Sequence, residues 1–271
     1  MKTNNLFDVA AYCLSAANPD EKVALTANAA RQWCVGKLDL QKSAELKIFD
    51  EPGRPKLPRL VLPQKLPHRS LATPEGHAAL IHSIAHIEFN AINLAWDAVY
   101  RFREMPRKYY DDWVRVADEE AYHFSLLRDH LKSLGYNYGD FDAHNGLWEM
   151  AQKTSHDVLE RMALVPRVLE ARGLDVTPGI IKRLSSHGDH EGVMILEIIL
   201  RDEIGHVEIG SRWFRYLCEQ RELEPKQTFQ RLFSQYMHYP ARGSAKGGLH
   251  RKARLAAGFS EEELNYLEGV G

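Results

Sequence analysis

The sequence has few cysteines, no long apolar run and almost no net charge. Its three cysteines, Cys13, Cys34 and Cys218, are far apart, which excludes a full disulfide framework. No apolar stretch reaches the roughly 18 residues that a membrane span needs. The formal charge of -2 gives no case for broad attraction to nucleic acid or to a membrane surface. The N-terminus lacks a signal-peptide apolar stretch, so we expect a cytoplasmic protein.

Helical periodicity fills most of the chain, and no run alternates convincingly with the period of two that marks a strand. We therefore predict an all-α fold in a single domain over residues 1–271. An N-terminal helical pair occupies 1–46, and a proline-rich extended strap occupies 47–73. A four-helix bundle, with helices A to D, is predicted for 74–220, and C-terminal helices close the chain over 221–271.

Two segments depart from the helical pattern. The strap contains so many prolines that no long helix is compatible with it, while its leucines would anchor it on the core. A basic, glycine-rich stretch from Pro240 to Arg254 separates the last helices. We interpret it as a solvated loop, with contact to an anion or to RNA as the alternative. Its basic residues are Arg242, Lys246, His250, Arg251, Lys252 and Arg254.

Two Glu-x-x-His motifs lie in apolar helical stretches: Glu120 with His123, and Glu203 with His206. Residues three apart project from one face of a helix, so each motif can offer a carboxylate oxygen and an imidazole nitrogen to one metal ion. A buried carboxylate is costly unless something compensates its charge. Two such motifs therefore suggest a pair of metal ions inside a four-helix bundle.

Such bundles also take one glutamate from each of the other two helices. On predicted helix A, from about Pro74 to Arg103, the apolar stripe carries one carboxylate, Glu88. Halfway between Glu88 and Glu120 the chain reads Arg-Glu-Met-Pro, a turn. The two glutamates are therefore expected level with each other across an antiparallel hairpin.

The same reasoning on predicted helices C and D pairs Glu170 with Glu203 across a turn at 186–189. This pairing makes the Gly-Leu-Asp-Val-Thr-Pro stretch at 173–178 a bend inside helix C, and Pro166 should kink that helix. Glu160 is the alternative to Glu170, but its midpoint with Glu203 falls in a stretch that reads as helix. We favour Glu170.

The predicted ligands are four carboxylates and two imidazoles, a set that suits iron or manganese better than zinc or copper. From the ligands alone, two iron ions, a manganese–iron pair and a di-manganese pair all stay open. Acids beside the motifs, Glu119 and Asp202, are candidate hydrogen-bond acceptors for the histidines of the opposite helix, with an exposed carboxylate as the other interpretation. The six ligands are Glu88, Glu120, His123, Glu170, Glu203 and His206.

Four stretches around these ligands resemble the DUF455 family of ferritin-like proteins: 85–92, 119–124, 168–175 and 201–207. The resemblance covers most of the chain and implies a ferritin-like bundle with a di-iron site. Residues 169–172, Leu-Glu-Ala-Arg, are also similar to a stretch of the tRNA hydroxylase of isopentenyl-adenosine, a ferritin-like di-iron enzyme. That similarity supports Glu170 as a ligand.

The function we expect is O₂-dependent oxidation of an organic substrate, by hydroxylation or desaturation. Its partners would be O₂, an external electron donor and a small molecule or modified nucleoside as substrate, with no membrane partner. Iron handling by a ferroxidase and a non-catalytic metal-binding bundle are the alternatives. The residues that act on the substrate, beyond the metal ligands, are unknown from the sequence.

Overall fold

A computed structural model describes residues 3–41, 49–237 and 248–269. Over these ranges the protein is helical, and its extended contacts are two isolated bridges, Asn5 with Asp39 and Leu60 with Ala143. The predicted all-α fold is therefore confirmed. Among the described helices, none is long and apolar enough to cross a membrane.

The chain divides into two compact units, Met1–Gln152 and Lys153–Gly271. In the first unit, a central antiparallel pair, α3 and α4, packs against an N-terminal pair, α1 and α2. A short helix, α5, ends the unit. The bounds are Leu6–Ser15 for α1, Pro19–Cys34 for α2, Pro74–Arg101 for α3, Arg107–Ser133 for α4 and Gly146–Lys153 for α5.

The boundaries of the α3–α4 hairpin follow from local sequence. Thr73 accepts a hydrogen bond from the backbone N–H of Gly76, and Pro74 occupies the first turn of α3, where its missing N–H costs nothing. Pro106 precedes α4, and Gly135 follows it with a φ of +85°, a conformation that glycine adopts freely. The predicted turn near 103–106 is confirmed.

The described part of the strap, residues 49–73, contains one short 3₁₀ turn, Pro63–Lys65. Backbone hydrogen bonds hold it at two places, one at the end of α1 and one at the segment before α5. Gly53 N–H donates to the carbonyl of Leu14, and Val61 N–H donates to the carbonyl of Ala143. Gly53 is required there because a Cβ would lie 2.2 Å from the carbonyl oxygen of Ser15.

The second unit is built around the long helix α8, which contacts α6, α7, α9 and α10. Helix α11 packs against α9. A π-helical segment, Val165–Glu170, joins α6 to α7. The helices are α6 Val158–Leu164, α7 Ala171–Ser186, α8 His190–Gln220, α9 Pro225–Tyr236, α10 Arg251–Ala256 and α11 Glu261–Glu268.

Helix C, predicted to begin near Asn145 and to continue through Pro166 to the turn at 186–189, is wrong in two respects. It is broken between α5 and α6, where Asp157 accepts a hydrogen bond from Leu159 N–H and caps a new helix. The interruption expected at 173–178 does not break the helix, since α7 runs through it with Pro178 inside. Packing of the buried Leu174 and Leu184 outweighs the lost hydrogen bond of the proline. The irregularity expected at Pro166 is present as the π-helical segment.

The predicted turn at 186–189 is confirmed: α7 ends at Ser186 and α8 begins at His190. The basic stretch is not wholly a solvated loop, since α10 begins within it at Arg251 and Arg254 is buried. The guanidinium of Arg254 binds both carboxylate oxygens of Asp175, at 2.6 and 2.9 Å. Arg242 and Lys246 lie outside the described residues.

The single domain over 1–271 and the four-helix bundle over 74–220 both stay predictions. The range predicted for the bundle is divided between the two compact units, with α3 and α4 in the first and α6, α7 and α8 in the second.

Candidate metal centre

Three of the predicted ligands meet inside the first unit. Glu88 on α3 and Glu120 and His123 on α4 each offer one ligand atom, and these three atoms lie within 4.8 Å of one another. All three side chains are buried. The Nδ1 atom of His123 lies 3.1 Å from Glu88 Oε2 and 3.5 Å from Glu120 Oε2. Two carboxylates and an imidazole thus converge where water has little access.

The charge of this group is balanced through His123. Burial alone lowers the pKa of the imidazole, but the hydrogen bonds and negative charges of Glu120 and Glu88 outweigh burial and raise the pKa to about 11. At neutral pH the ring is therefore a cation that shares its Nδ1 proton with the two carboxylates. A bound metal cation would supply the same compensation to the two glutamates.

The second Glu-x-x-His motif lies on α8 in the second unit. Glu203 Oε1 is 3.6 Å from His206 Nδ1, so the two groups share one face of the helix. His206 is fully buried and Glu203 nearly so. Within this unit the motif again pairs one carboxylate with one imidazole, the arrangement that two residues three apart on a helix provide.

Glu170 and Glu160, the two candidate ligands of the second unit, have different surroundings. Glu170 ends the π-helical segment, and its Oε2 atom is buried from solvent. Glu160 instead accepts a hydrogen bond from the hydroxyl of Tyr236 and lies 3.3 Å from Nε2 of His156. Glu160 thus already has hydrogen-bonding and ionic partners, which favours Glu170 as the ligand. The ligand role of Glu170 stays a prediction.

The two neighbouring acids are half-buried. Glu119 lies 3.9 Å from the guanidinium of Arg115, one turn away on α4. Asp202 accepts hydrogen bonds from Arg201 at 2.9 and 3.2 Å. Both acids therefore have arginine partners on their own helix, and their predicted contact with histidines of the opposite helix stays a prediction.

A buried arginine that the sequence did not suggest lies three residues before Glu170. Arg167 donates hydrogen bonds to Glu263 at 2.7 Å and to Ser211 at 3.2 Å. Its guanidinium also stacks on the rings of Phe214, Phe229 and Phe259, at 4.4–4.7 Å from their centres. The π-helical segment is thereby fixed to α8, α9 and α11. The one local signal was an arginine inside an apolar stretch.

These observations define the protein as an all-α protein with buried glutamates and histidines that could hold a metal ion. The particular family follows from sequence comparison. The chain belongs to DUF455, because the family described as "Protein of unknown function (DUF455)" matches residues 15–265. The resemblance of the motifs to DUF455 is thus confirmed, while the ferritin-like relationship stays a prediction.

A protein from Haemophilus influenzae is similar in sequence to this chain. It bears the name "Uncharacterized protein" and is 51% identical over 223 residues, which cover 80% of this chain and 76% of the relative. No solved structure matches the chain significantly. Neither comparison carries an activity over to this protein, so its function has to be argued from the buried glutamates and histidines.

Proposed function

We propose that this protein is a ferritin-like di-metal carboxylate protein that uses O₂ to hydroxylate or desaturate an organic substrate. The observation that supports the proposal most is the convergence of Glu88, Glu120 and His123 within 4.8 Å at a buried place. The sequence spacing adds Glu170, Glu203 and His206 to the same ligand set. The proposed substrate is a small molecule or a modified nucleoside.

The donor atoms fit the proposed metals. Carboxylate oxygens and imidazole nitrogens bind iron and manganese well, and burial of Glu88 and Glu120 is compatible with a cation between them. Two iron ions are proposed, and manganese–iron or di-manganese pairs would use the same donors. Such ions, when bound, supply the redox chemistry by which O₂ is activated, with electrons from an external donor.

The residues of the site would bind and orient the metal ions, and they exclude water. The α3–α4 hairpin fixes Glu88 opposite Glu120, so the two carboxylates are arranged before a cation arrives. His123 has to release the Nδ1 proton it shares with them before that nitrogen can bind a metal. The apolar residues around them keep water away and so strengthen the electrostatic interactions of the site.

The experiment that tests the function measures O₂ consumption after anaerobic loading with Fe(II). An oxidase or oxygenase should consume O₂ in proportion to the protein and stop when the bound iron is oxidised, whereas an iron-storing ferroxidase should continue through a large excess of Fe(II) and keep the ferric product in solution. Glu203→Gln should lose the reaction. The control Glu197→Gln, at an exposed position of α8, should keep it.

Gel filtration measures the particle size and so gives an independent check against iron storage. Cage-like assembly with ferric mineral would replace our proposal by iron storage, and bound iron without any O₂ consumption would leave a non-catalytic metal-binding bundle. A monomer or dimer that consumes O₂ at its bound iron is the result we expect.

A further inference from the structure

The α3–α4 hairpin brings two histidines together at the end away from its turn. His77 is the fourth residue of α3, and His130 lies in the last turn of α4. One ring nitrogen of each imidazole lies within 4.8 Å of the other, and both residues belong to the first compact unit. Imidazole is the commonest metal ligand among side chains, so two of its nitrogens at this distance form a pair of donors that one ion can join.

Helical spacing explains why the two rings face each other. His77 comes eleven residues before Glu88, about three turns of α3, and His130 comes seven residues after His123, about two turns of α4. A side chain returns to the same face after whole turns, so both histidines lie on the faces that carry the candidate ligands. The helical rise puts His77 roughly 16 Å from Glu88 along α3, so the histidine pair is a separate site.

Ser133 determines which nitrogen of His130 carries the hydrogen. The Ser133 hydroxyl donates to the backbone carbonyl of His130 at 2.7 Å, so its own hydrogen is used there. Its Oγ atom, 3.4 Å from His130 Nδ1, accepts the hydrogen of that nitrogen. The lone pair of the ring is therefore on Nε2. Metal-binding histidines usually have such an acceptor at their second nitrogen.

The two rings differ in their exposure to solvent. His130 is buried, with 3% of its surface exposed, whereas His77 is half-buried. The surrounding residues fix the ring of His130, and the exposed part of His77 gives an ion access from solvent. Zn–N bonds of about 2.0–2.1 Å place two nitrogens of one zinc ion roughly 3.3 Å apart. A small rotation of the His77 side chain is enough to reach this distance.

We propose that His77 and His130 bind one zinc ion, with water in its remaining coordination positions. Imidazole nitrogens suit zinc, and the affinity of such donors for divalent ions is lower for manganese and iron than for the later metals of the row. The ion joins the start of α3 to the end of α4. The carboxylates of Glu88 and Glu120 take no part in this site, and the inference does not depend on the proposed di-metal centre.

Equilibrium dialysis of the full chain against a fixed concentration of free Zn(II) tests the proposal. We expect the wild type to bind one zinc ion per chain more than His130→Gln. His77→Gln should weaken the binding of that ion at least about tenfold, since even groups that only support a ligand change metal affinity by this much. His77 is half-buried, so its substitution tests the site even if His130→Gln fails to fold. His68→Gln, which removes an exposed histidine of the strap, should bind zinc like the wild type.

The Glu120→Gln variant separates this site from the candidate carboxylate centre. The difference of one zinc ion between chains with and without His77 should persist in the Glu120→Gln background, whatever that substitution does to other bound metal. Equal zinc content in the wild type and His77→Gln would overturn the proposal. A loss with His68→Gln as large as that with His77→Gln would overturn it as well, since zinc would then bind to surface histidines without preference.

Discussion

The ring of Pro166 lies directly against Gly210, so that a Cβ added to Gly210 would stand 2.4 Å from Pro166 Cβ and Cγ. Pro166 belongs to the π-helical segment and Gly210 to α8. Proline cannot donate the backbone hydrogen bond that a regular helix needs at its position. The glycine gives the proline ring room, and the two residues together fix the segment that ends at Glu170.

Gly210→Ala should therefore destabilise the protein. We expect a loss of about 1–3 kcal/mol in the free energy of unfolding, as for overpacked sites, despite the gain in helix propensity from alanine. Urea unfolding measures it. Gly205→Ala on the same helix is the control, because nothing lies within 4 Å of an added Cβ there, and it should stabilise by up to about 1 kcal/mol. Equal effects of both substitutions would refute the packing argument.

Substitution of the buried Arg167 should lower the free energy of unfolding more than substitution of an exposed arginine in the second unit. Burial lowers the pKa of the Arg167 guanidinium and the neighbouring Glu263 opposes that effect, so the buried charge is compensated by this carboxylate. Arg167→Ala leaves Glu263 without this partner and opens space among three aromatic rings. We expect a loss of about 3–5 kcal/mol, measured by urea unfolding.

The comparison for Arg167 is Arg212→Ala. Arg212 lies 3.4 Å from Glu208 on the outside of α8, with both side chains more than a third exposed. Exposed pairs of this kind contribute at most about 1 kcal/mol. If the two alanine variants were equally stable, the buried contacts of Arg167 would not stabilise the second unit as the structure implies.

Lys22 should make stability depend on pH. Its side chain is fully buried and donates to the carbonyls of Cys13 and Leu14 near the end of α1, at 2.6 and 3.1 Å. Burial lowers its pKa from the ordinary 10.5 to about 7. Between these values the unfolded chain holds a proton that the folded chain has released, so stability rises with pH in this window.

Lys22→Met tests this dependence, since methionine has no charge to lose. The free energy of unfolding of wild type minus that of the variant should rise between pH 7 and pH 9 by about 2–3 kcal/mol. It should be nearly flat below pH 6, where lysine is charged in both states. A difference that stays constant up to pH 9 would mean that Lys22 keeps its proton in the folded protein.

Local sequence signals were sufficient to predict helix ends where no tertiary contact competes with them. Thr73, Pro74 and Pro106 mark the ends of α3 and α4, and the apolar period between them predicts both helices. The break before α6 was missed because its cap, Asp157, is a weaker signal than the Gly and Pro at 173–178. Those residues indicate an interruption of the helix, but tertiary packing keeps α7 continuous around Pro178, and no local pattern reports that packing.

The buried polar residues also differ in how far the sequence predicts their contacts. Spacing along the hairpin was sufficient to select Glu88 as the companion of Glu120, because two helices of equal rise keep equal distances from their turn. The contacts of Arg167 with Ser211 and Glu263 join residues that are distant in sequence. A single sequence gives no spacing from which to infer them.

The central claim is that this chain binds two metal ions through its buried glutamates and histidines. The most direct measurement is the number of Fe(II) ions bound per chain after anaerobic reconstitution and removal of free metal. We predict two, with a clear loss in Glu120→Gln and no loss in Glu75→Gln, an exposed acid at the start of α3. Clearly fewer than about two bound irons per chain, or equal binding by both variants, would contradict the claim.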